Sequence, residues 1–312
     1  MPIETRIITD REEWLKWRGD DVTASVAGAL LGLHPHCTAL QLYMAKTGLV
    51  SLDNGDSGPM RRGRLLEPVA MQIVKEAHPE WQVEAPAVYL RDPEHKLGCT
   101  PDLYASTSLS RCVIEIKSVE PSAFRRNWLD ESGTIQVPTW IAIQALVCAH
   151  LAQAQWCMVG VLRVAHGIEF DLIPIPETPG LIARIEAAAS EFWACVERGE
   201  PPPPVFPADT DSVLKMASKA ADEGASVEIE EGDNYFPALI AEYVQNGVEL
   251  REREARGKAI KAELLHKLGE ATTLKQNGRT LATAKLVTKK AEEKPRAGYS
   301  YRDLRIPPGA VP

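Results

Sequence analysis

One strand-like segment, residues 111–117 (RCVIEIK), constrains the fold more than any other part of this 312-residue sequence. Strand side chains alternate between two faces, so Glu115 and Lys117 share one face while Ile114 and Ile116 lie on the other. Such an apolar run is typical of a central strand that is covered on both sides. A charged pair on a strand of this kind needs a reason, because burying charge is costly.

The rest of the pattern predicts an α/β protein, in which a mixed central sheet is flanked by helices. We expect further strands at about 81–90, 155–164 and 168–175, and helices at about 10–18, 24–31, 38–46, 60–77, 138–151 and 179–198. A long charged helix is predicted over 236–268. Asn277-Gly278 then predicts a tight hairpin turn.

A run of four prolines, Pro201–Pro204, divides the sequence. The net charge is −8 over residues 1–200, −8 over 201–250 and +8 over 251–312. We therefore predict a first domain over 1–200. Residues 201–312 are then a stiff proline spacer, an acidic segment, the long helix and a basic hairpin and tail.

Composition excludes several classes of protein. A total net charge of −8 excludes a polybasic nucleic-acid binder, although not a local basic site. No apolar run reaches the ~20 residues of a membrane helix, and the N-terminal residues lack the apolar core of a signal peptide. We therefore expect a cytoplasmic protein without a membrane segment. The six cysteines form no CxxC pair, which favours reduced thiols over a cysteine-based zinc or iron–sulfur site.

The candidate chemistry lies around Asp102, Glu115 and Lys117. A spacing of 13 residues suits an aspartate at the end of one strand and an E-x-K pair on its hairpin neighbour. Two adjacent carboxylates repel each other unless a cation lies between them, and Mg²⁺ prefers oxygen ligands. These are the parts of a metal-dependent phosphodiesterase. Taken alone, the same pattern also occurs on ordinary exposed strands.

Two further segments support the phosphodiesterase interpretation. Arg61, Arg62 and Arg64 precede Glu67 on a predicted helix, and arginine suits phosphate binding. A solvated helix end explains the same residues equally well. Gln144 lies among apolar residues on the helix that follows Pro138. It could contact a catalytic carboxylate or DNA, or simply lie at the edge of the core.

In this order, the motifs resemble the YqaJ-like viral recombinase family, which belongs with lambda-type exonuclease in the PD-(D/E)xK nuclease superfamily. The resemblance covers the first ~200 residues. The matching segments are Trp14–Arg18, Thr23–Gly32, Lys46–Gly48, Arg62-Gly63 with Glu67-Pro68, Thr100–Asp102, Glu115–Lys117 and Gln144. The sequence after residue 205 matches the family only loosely.

The resemblance implies a role for each matching residue. The implied catalytic residues are Glu67, Asp102, Glu115, Lys117 and Gln144. The implied metal ligands are Asp102, Glu115, Glu67 and the carbonyl group of Ile116. The implied contacts to DNA and its 5′-phosphate are Arg18 and Ser25, with Ser118 and Arg125 as weaker candidates.

The resemblance also implies an activity and partners. The expected enzyme is a Mg²⁺-dependent deoxyribonuclease, with Mn²⁺ as a substitute ion, which resects linear double-stranded DNA from 5′ ends and leaves 3′ overhangs. Its expected partners are DNA ends and a single-strand annealing protein, and a homotrimer is the expected assembly. The expected location is the cytoplasm of a bacterium or of a phage-infected host cell. The alternatives are a restriction-type endonuclease and a non-enzymatic DNA-binding protein of the same fold.

Overall fold

A computed structural model of the protein describes residues 2–50, 57–107, 110–217, 226–230 and 232–284. The chain folds as two compact units, residues 1–213 and 214–312. No helix in the described ranges is both long enough and apolar enough to cross a membrane.

The elements are numbered in chain order. The strands are β1 (Glu4–Ile7), β2 (Val22–Thr23), β3 (Gln82–Glu84), β4 (Val88–Asp92), β5 (Leu97–Cys99), β6 (Leu103–Ser106), β7 (Arg111–Val119), β8 (Trp156–Val164), β9 (Ile168–Ile175), β10 (Thr273–Gln276) and β11 (Arg279–Thr283). The helices are α1 (Arg11–Asp20), α2 (Ala39–Lys46), α3 (Gly58–Ala77), α4 (Pro121–Asn127), α5 (Thr139–Leu151), α6 (Leu181–Arg198), α7 (Thr210–Ala217) and α8 (Tyr235–Leu268). A 3₁₀ helix spans Ala24–Leu31.

The predicted mixed sheet is confirmed, and the predicted central strand lies in its middle. Five strands follow the order β3-β6-β7-β8-β9. The pair β7–β8 is parallel, and the other pairs are antiparallel. The Ile114 and Ile116 face of β7 packs against Ala70 and Val74 of α3. The opposite face of β7 lies towards α5, which contacts both β7 and β8. Both faces are therefore covered, as the apolar pattern of the strand requires.

A second sheet was not predicted from the sequence. Its four strands follow the order β1-β4-β5-β2. The single strand predicted over 81–90 is wrong, because this stretch holds β3 and the start of β4, which belong to different sheets. Pro86 lies between them and cannot donate a backbone hydrogen bond to a sheet ladder. At this proline the chain passes from the five-stranded sheet to the four-stranded sheet.

The helix predicted over 24–31 is a 3₁₀ helix rather than an α-helix. Thr23 occupies its N-cap position, but the Thr23 side chain makes no cap hydrogen bond. Gly32 ends the helix in the left-handed region at φ 68°, where glycine has no steric penalty. The chain thus turns sharply before α2, which begins with a complete capping box at Thr38.

The chain beyond the proline run packs against α2. Asp209 is fully buried and accepts hydrogen bonds from the Thr38 hydroxyl at 2.5 Å and from the Val205 backbone at 2.7 Å. Gln41 donates to the carbonyl oxygen of Ala208 at 2.9 Å. These contacts explain why the first compact unit continues past the prolines.

The second unit contains α8 and a two-stranded hairpin, β10–β11. Asn277 and Gly278 have φ values of 50° and 81°, the positive values that a type I′ turn requires at both central positions. The predicted long helix and the predicted hairpin turn are therefore confirmed. The basic tail after Lys289 lies outside the described residues.

Candidate active site

The fold brings Asp102, Glu115 and Lys117 to one place at the start of the β6–β7 pair. Asp102 directly precedes β6, and β6 pairs antiparallel with the strand that carries the other two residues. The Oδ2 atom of Asp102 accepts a hydrogen bond of 2.8 Å from the backbone N–H of Ile116. The two segments predicted to meet are thus joined by a direct bond between them.

Glu115 is the most constrained residue of the site, with 2% of its surface exposed. Its Oε1 atom accepts hydrogen bonds of 2.6 Å from Lys117 Nζ and from Gln144 Nε2. Its Oε2 atom is also buried and has no hydrogen-bond partner among the described residues. A buried carboxylate oxygen without a partner is costly, so this atom is available to a ligand that brings positive charge.

Gln144 faces the site, which decides between the alternatives that its sequence position left open. The residue is buried on α5, and its Oε1 atom accepts a hydrogen bond of 3.0 Å from Lys117 Nζ. The same amide donates to Glu115. One glutamine therefore holds both the lysine and the glutamate, because its amide can accept and donate at the same time.

The acidic groups of the site repel one another. Burial, followed by the charge of Glu115, raises the pKa of Asp102 well above its ordinary value. Burial and Glu115 also raise the pKa of Glu67, on α3. For Lys117, burial alone would lower the pKa, but Glu115 and Asp102 outweigh it and raise the pKa. The site therefore favours the charged lysine and resists a full set of charged carboxylates.

This donor set fits a hard divalent cation. Asp102, Glu115 and Glu67 offer carboxylate oxygens, and one of the Glu115 oxygens has no partner within the described ranges. A divalent ion would stabilise the charged forms of Asp102 and Glu67, which burial and then the charge of Glu115 disfavour. The structure thus supplies a reason for charged residues on a central strand.

Arg18 and Ser25 flank β2. The Arg18 guanidinium lies 4.7 Å from the centre of the Trp14 ring. Burial lowers the pKa of Arg18, against a smaller raising effect of Tyr89, Cys148 and Glu115. Ser25 lies on the 3₁₀ helix, and its hydroxyl is 3.0 Å from that of Thr23. Both residues are half-buried rather than on an open surface.

The 3₁₀ helix packs directly on α5, the helix that carries Gln144. A Cβ atom at Gly28 would lie 3.6 Å from Cβ of Trp140. The Trp140 ring also lies 5.9 Å from Lys117 Nζ. Because Gly28 has no side chain, the 3₁₀ helix that contains Ser25 lies close against α5, whose Gln144 binds Lys117.

Lys46 was not assigned a role from the sequence, although it lies in one of the matching segments. Its ammonium donates hydrogen bonds of 2.6 Å to the backbone carbonyls of Arg18 and Asp21. Burial and the Arg18 charge lower the pKa of Lys46 to about 8. This lysine holds the C-terminal end of α1, where carbonyl groups lack helical partners. It thereby positions the backbone of Arg18.

Ser118 and Arg125 are placed differently from each other. The Ser118 hydroxyl accepts a hydrogen bond of 2.9 Å from Nε of Arg62. This arginine also lies 3.7 Å from Glu120. Arg125 is exposed in the last turn of α4. Of the two, Ser118 is joined to the arginine-rich start of α3 through Arg62, a pairing that no sequence pattern indicated.

A mixed sheet flanked by helices, with an E-x-K pair on the central strand and an aspartate bonded to it, is the core expected of the PD-(D/E)xK class. Comparison with known families agrees: residues 13–155 match the YqaJ-like viral recombinase domain. The resemblance inferred from the sequence is therefore confirmed for this part of the chain, which is similar to that domain.

Several solved structures are similar to the chain at low sequence identity. An alkaline exonuclease from Laribacter hongkongensis (LHK-Exo) is 20% identical over 67% of this chain and 100% of its own, with a TM-score of 0.48. The same enzyme in complex with dAMP is 22% identical over the same shares, with a TM-score of 0.47. A SOX–DNA complex is 9% identical over 60% of this chain and 67% of its own, with a TM-score of 0.41. No match was found among curated proteins.

Proposed function

We propose that this protein is a Mg²⁺-dependent DNA exonuclease, which also accepts Mn²⁺ and which degrades one strand of linear double-stranded DNA from its 5′ end. The product is a 3′ single-stranded overhang. One observation carries the proposal: Glu115 is buried, with one oxygen held by Lys117 and Gln144 and the other without a partner in the described part of the chain.

The metal would be held by Asp102, Glu115 and Glu67, with the carbonyl group of Ile116 as a further ligand. An ion held there would supply Lewis-acid polarisation of the phosphate and would activate the attacking water. The side chains of the site provide the remaining stabilisation of charge on the phosphate. Lys117 keeps its positive charge because of the surrounding carboxylates, so it can stabilise the negative charge that develops on the phosphate.

Gln144 orients the catalytic groups rather than reacting itself. Its amide joins Glu115 Oε1 and Lys117 Nζ, and this fixes the side-chain torsions of both residues. A lysine held at two points needs little reorganisation when charge develops beside it. Gln144 is therefore expected to affect the rate more than the binding of DNA.

End recognition supports the proposed polarity. Arg18 supplies a planar fork of donors, and Ser25 supplies a hydroxyl, which together suit a terminal phosphate. Both side chains are half-buried, which suits contact with a chain end better than contact with the exposed backbone along a duplex. Arg62, which donates a hydrogen bond to Ser118 just after Lys117 in sequence, is a further candidate for a contact with the DNA backbone.

We further propose that the overhang passes to a single-strand annealing protein and that the enzyme works as a homotrimer. Both follow from the family resemblance. Equilibrium sedimentation of the full chain tests the trimer. A pull-down from host cells with the Asp102→Asn variant, which should retain DNA without cutting it, tests the partner.

A time course on linear duplex tests the activity. Separate substrates carry a label at the 5′ or the 3′ end, and a covalently closed circle serves as the substrate without ends. We expect early release of the 5′ label, survival of the circle, and no cleavage in EDTA or with Asp102→Asn. Cleavage of the circle would instead indicate an endonuclease. Binding without cleavage under any metal would indicate a non-enzymatic DNA-binding protein.

A further inference from the structure

A second group of metal-ligating side chains lies outside the candidate active site. Asp92, His95 and Glu186 each offer a ligand atom within 4.8 Å of the others. Among the described residues, this is the one group of three histidine, cysteine, aspartate or glutamate side chains that meets this distance. They line a cleft of ≈ 570 Å³. His150 lines the same cleft, and its Nε2 atom lies 3.3 Å from Glu186 Oε1.

The four residues come from separate elements that the fold brings together. Asp92 ends β4, and His95 lies in the turn that leads to β5. His150 lies near the end of α5 and Glu186 on α6. Two imidazoles and two carboxylates therefore converge from a turn and two helices, and not from one exposed acidic stretch.

The cleft is electrostatically suited to a cation. The Asp92 side chain is 7% exposed, and its Oδ2 atom lies 2.6 Å from His95 Nδ1. The other Asp92 oxygen accepts a hydrogen bond of 2.9 Å from the backbone of Glu94. Among the described residues that line the cleft there is no lysine or arginine side chain. Metal-binding histidines are commonly oriented by a carboxylate in the way that Asp92 contacts His95.

We propose that this cleft binds one divalent transition-metal ion, represented by Zn²⁺, through His95, Glu186 and His150, with Asp92 as a ligand or as the group that orients His95. Imidazole and carboxylate are zinc ligands, whereas Mg²⁺ prefers oxygen ligands alone. Ligand atoms around a tetrahedral zinc lie about 3.3 Å apart for bonds of about 2.0 Å. The ligand atoms of Asp92, His95 and Glu186 lie within 4.8 Å of one another, and His150 Nε2 lies 3.3 Å from Glu186 Oε1, so a bound ion would draw these groups closer together. The bound ion would join the β4–β5 turn to α5 and α6.

Zinc uptake by the full chain tests the proposal. The protein is mixed with Zn²⁺ alone in the presence of excess Mg²⁺, which occupies the all-oxygen site, and is then desalted and analysed for zinc. We expect one zinc per chain in the wild type. His95→Ala and Glu186→Gln should each weaken zinc binding by more than about 100-fold, since even residues behind the ligands cost about 10–100-fold.

Matched variants separate this site from other zinc-binding groups. His166→Ala removes an exposed histidine from the β8–β9 turn and should leave zinc uptake unchanged. Asp102→Asn should also retain the zinc, so the result of the zinc test does not depend on the nuclease activity. Substitution with Co²⁺ should give a spectrum without the intense absorption of thiolate ligands.

The results that overturn the proposal are clear. They are no zinc in the wild type, equal zinc in the wild type and both cleft variants, or a thiolate spectrum with Co²⁺. Circular dichroism of each variant shows whether it is folded. Because His95 and Glu186 lie on different elements, misfolding of one variant leaves the other to decide.

Discussion

Replacement of Lys117 by methionine should destabilise the metal-free protein. The substitution keeps the length of the side chain but leaves Glu115, which is 2% exposed, without the cation at 2.6 Å. Removal of one partner from a buried ion pair typically costs ~3–5 kcal/mol. The Lys117 side chain is 23% exposed, so we expect the lower end, about 3 kcal/mol. For a unit of this size, that corresponds to a fall in Tm of about 6–12 °C.

Thermal unfolding in EDTA measures this effect. The matched control is Lys96→Met, because Lys96 also pairs with a glutamate, Glu197, at 3.1 Å, but the two side chains are 38% and 69% exposed. Exposed pairs contribute about 0–1 kcal/mol, so the control should lose little stability. With Mg²⁺ present, the difference between Lys117→Met and the wild type should shrink, because the bound ion compensates the charge of Glu115.

Two results would refute this reasoning. If Lys117→Met and Lys96→Met unfolded at the same temperature in EDTA, the buried ion pair would not contribute as its geometry indicates. If Mg²⁺ left the deficit of Lys117→Met unchanged, Glu115 would not belong to the metal site, whatever the role of the lysine.

Three further predictions concern two other residues of the site and the packing of the sheet that carries it. The pKa of Asp102 is raised in the folded, metal-free protein, so between the ordinary and the raised pKa the folded protein keeps a proton that the unfolded chain has released. The free energy of unfolding should therefore fall as the pH rises through this range. Asp102→Asn should abolish this decline and raise Tm at neutral pH in EDTA, while it eliminates cleavage; an unchanged pH profile would contradict the assigned burial. Arg18→Ala should reduce the preference for 5′-phosphorylated over 5′-hydroxyl duplex ends in a cleavage assay, and a wild type without any preference would exclude this pocket. Gly160→Ala should cost about 1–3 kcal/mol in denaturant unfolding, because its Cβ would lie 2.7 Å from the Phe170 ring and 2.8 Å from Ile116 Cδ1; wild-type stability would show that both side chains can move away.

Local patterns predicted much of the fold. The alternation in β7 identified a central strand and its two faces, and the Asn277-Gly278 pair identified a hairpin turn. Both predictions succeeded because they depend on the steric preferences of neighbouring residues. The four-stranded sheet was missed because its strands are only two to five residues long, too short for a clear periodicity.

Part of the candidate site could also be predicted. The aspartate and the E-x-K pair were identified by spacing and by the cost of charge on a central strand. The sequence pattern also singled out Glu67 and Gln144, and the family resemblance gave them roles and added Arg18. The hydrogen bond from Arg62 to Ser118 and the support of α1 by Lys46 were not foreseen. Each joins side chains to partners that are distant in sequence, and no local pattern specifies such pairs.

The sequence by itself determined that a charged pair would lie on a buried strand, because β7 contains too few polar residues to face water. Only the tertiary structure decided that α5 covers that face, which turns Gln144 inward and leaves one oxygen of Glu115 without a partner in the described structure. The same holds for His95 and Glu186, which are separated by 90 residues of chain and meet in one cleft. Steric preferences act between neighbours along the chain, whereas these contacts depend on which apolar faces can be buried against each other.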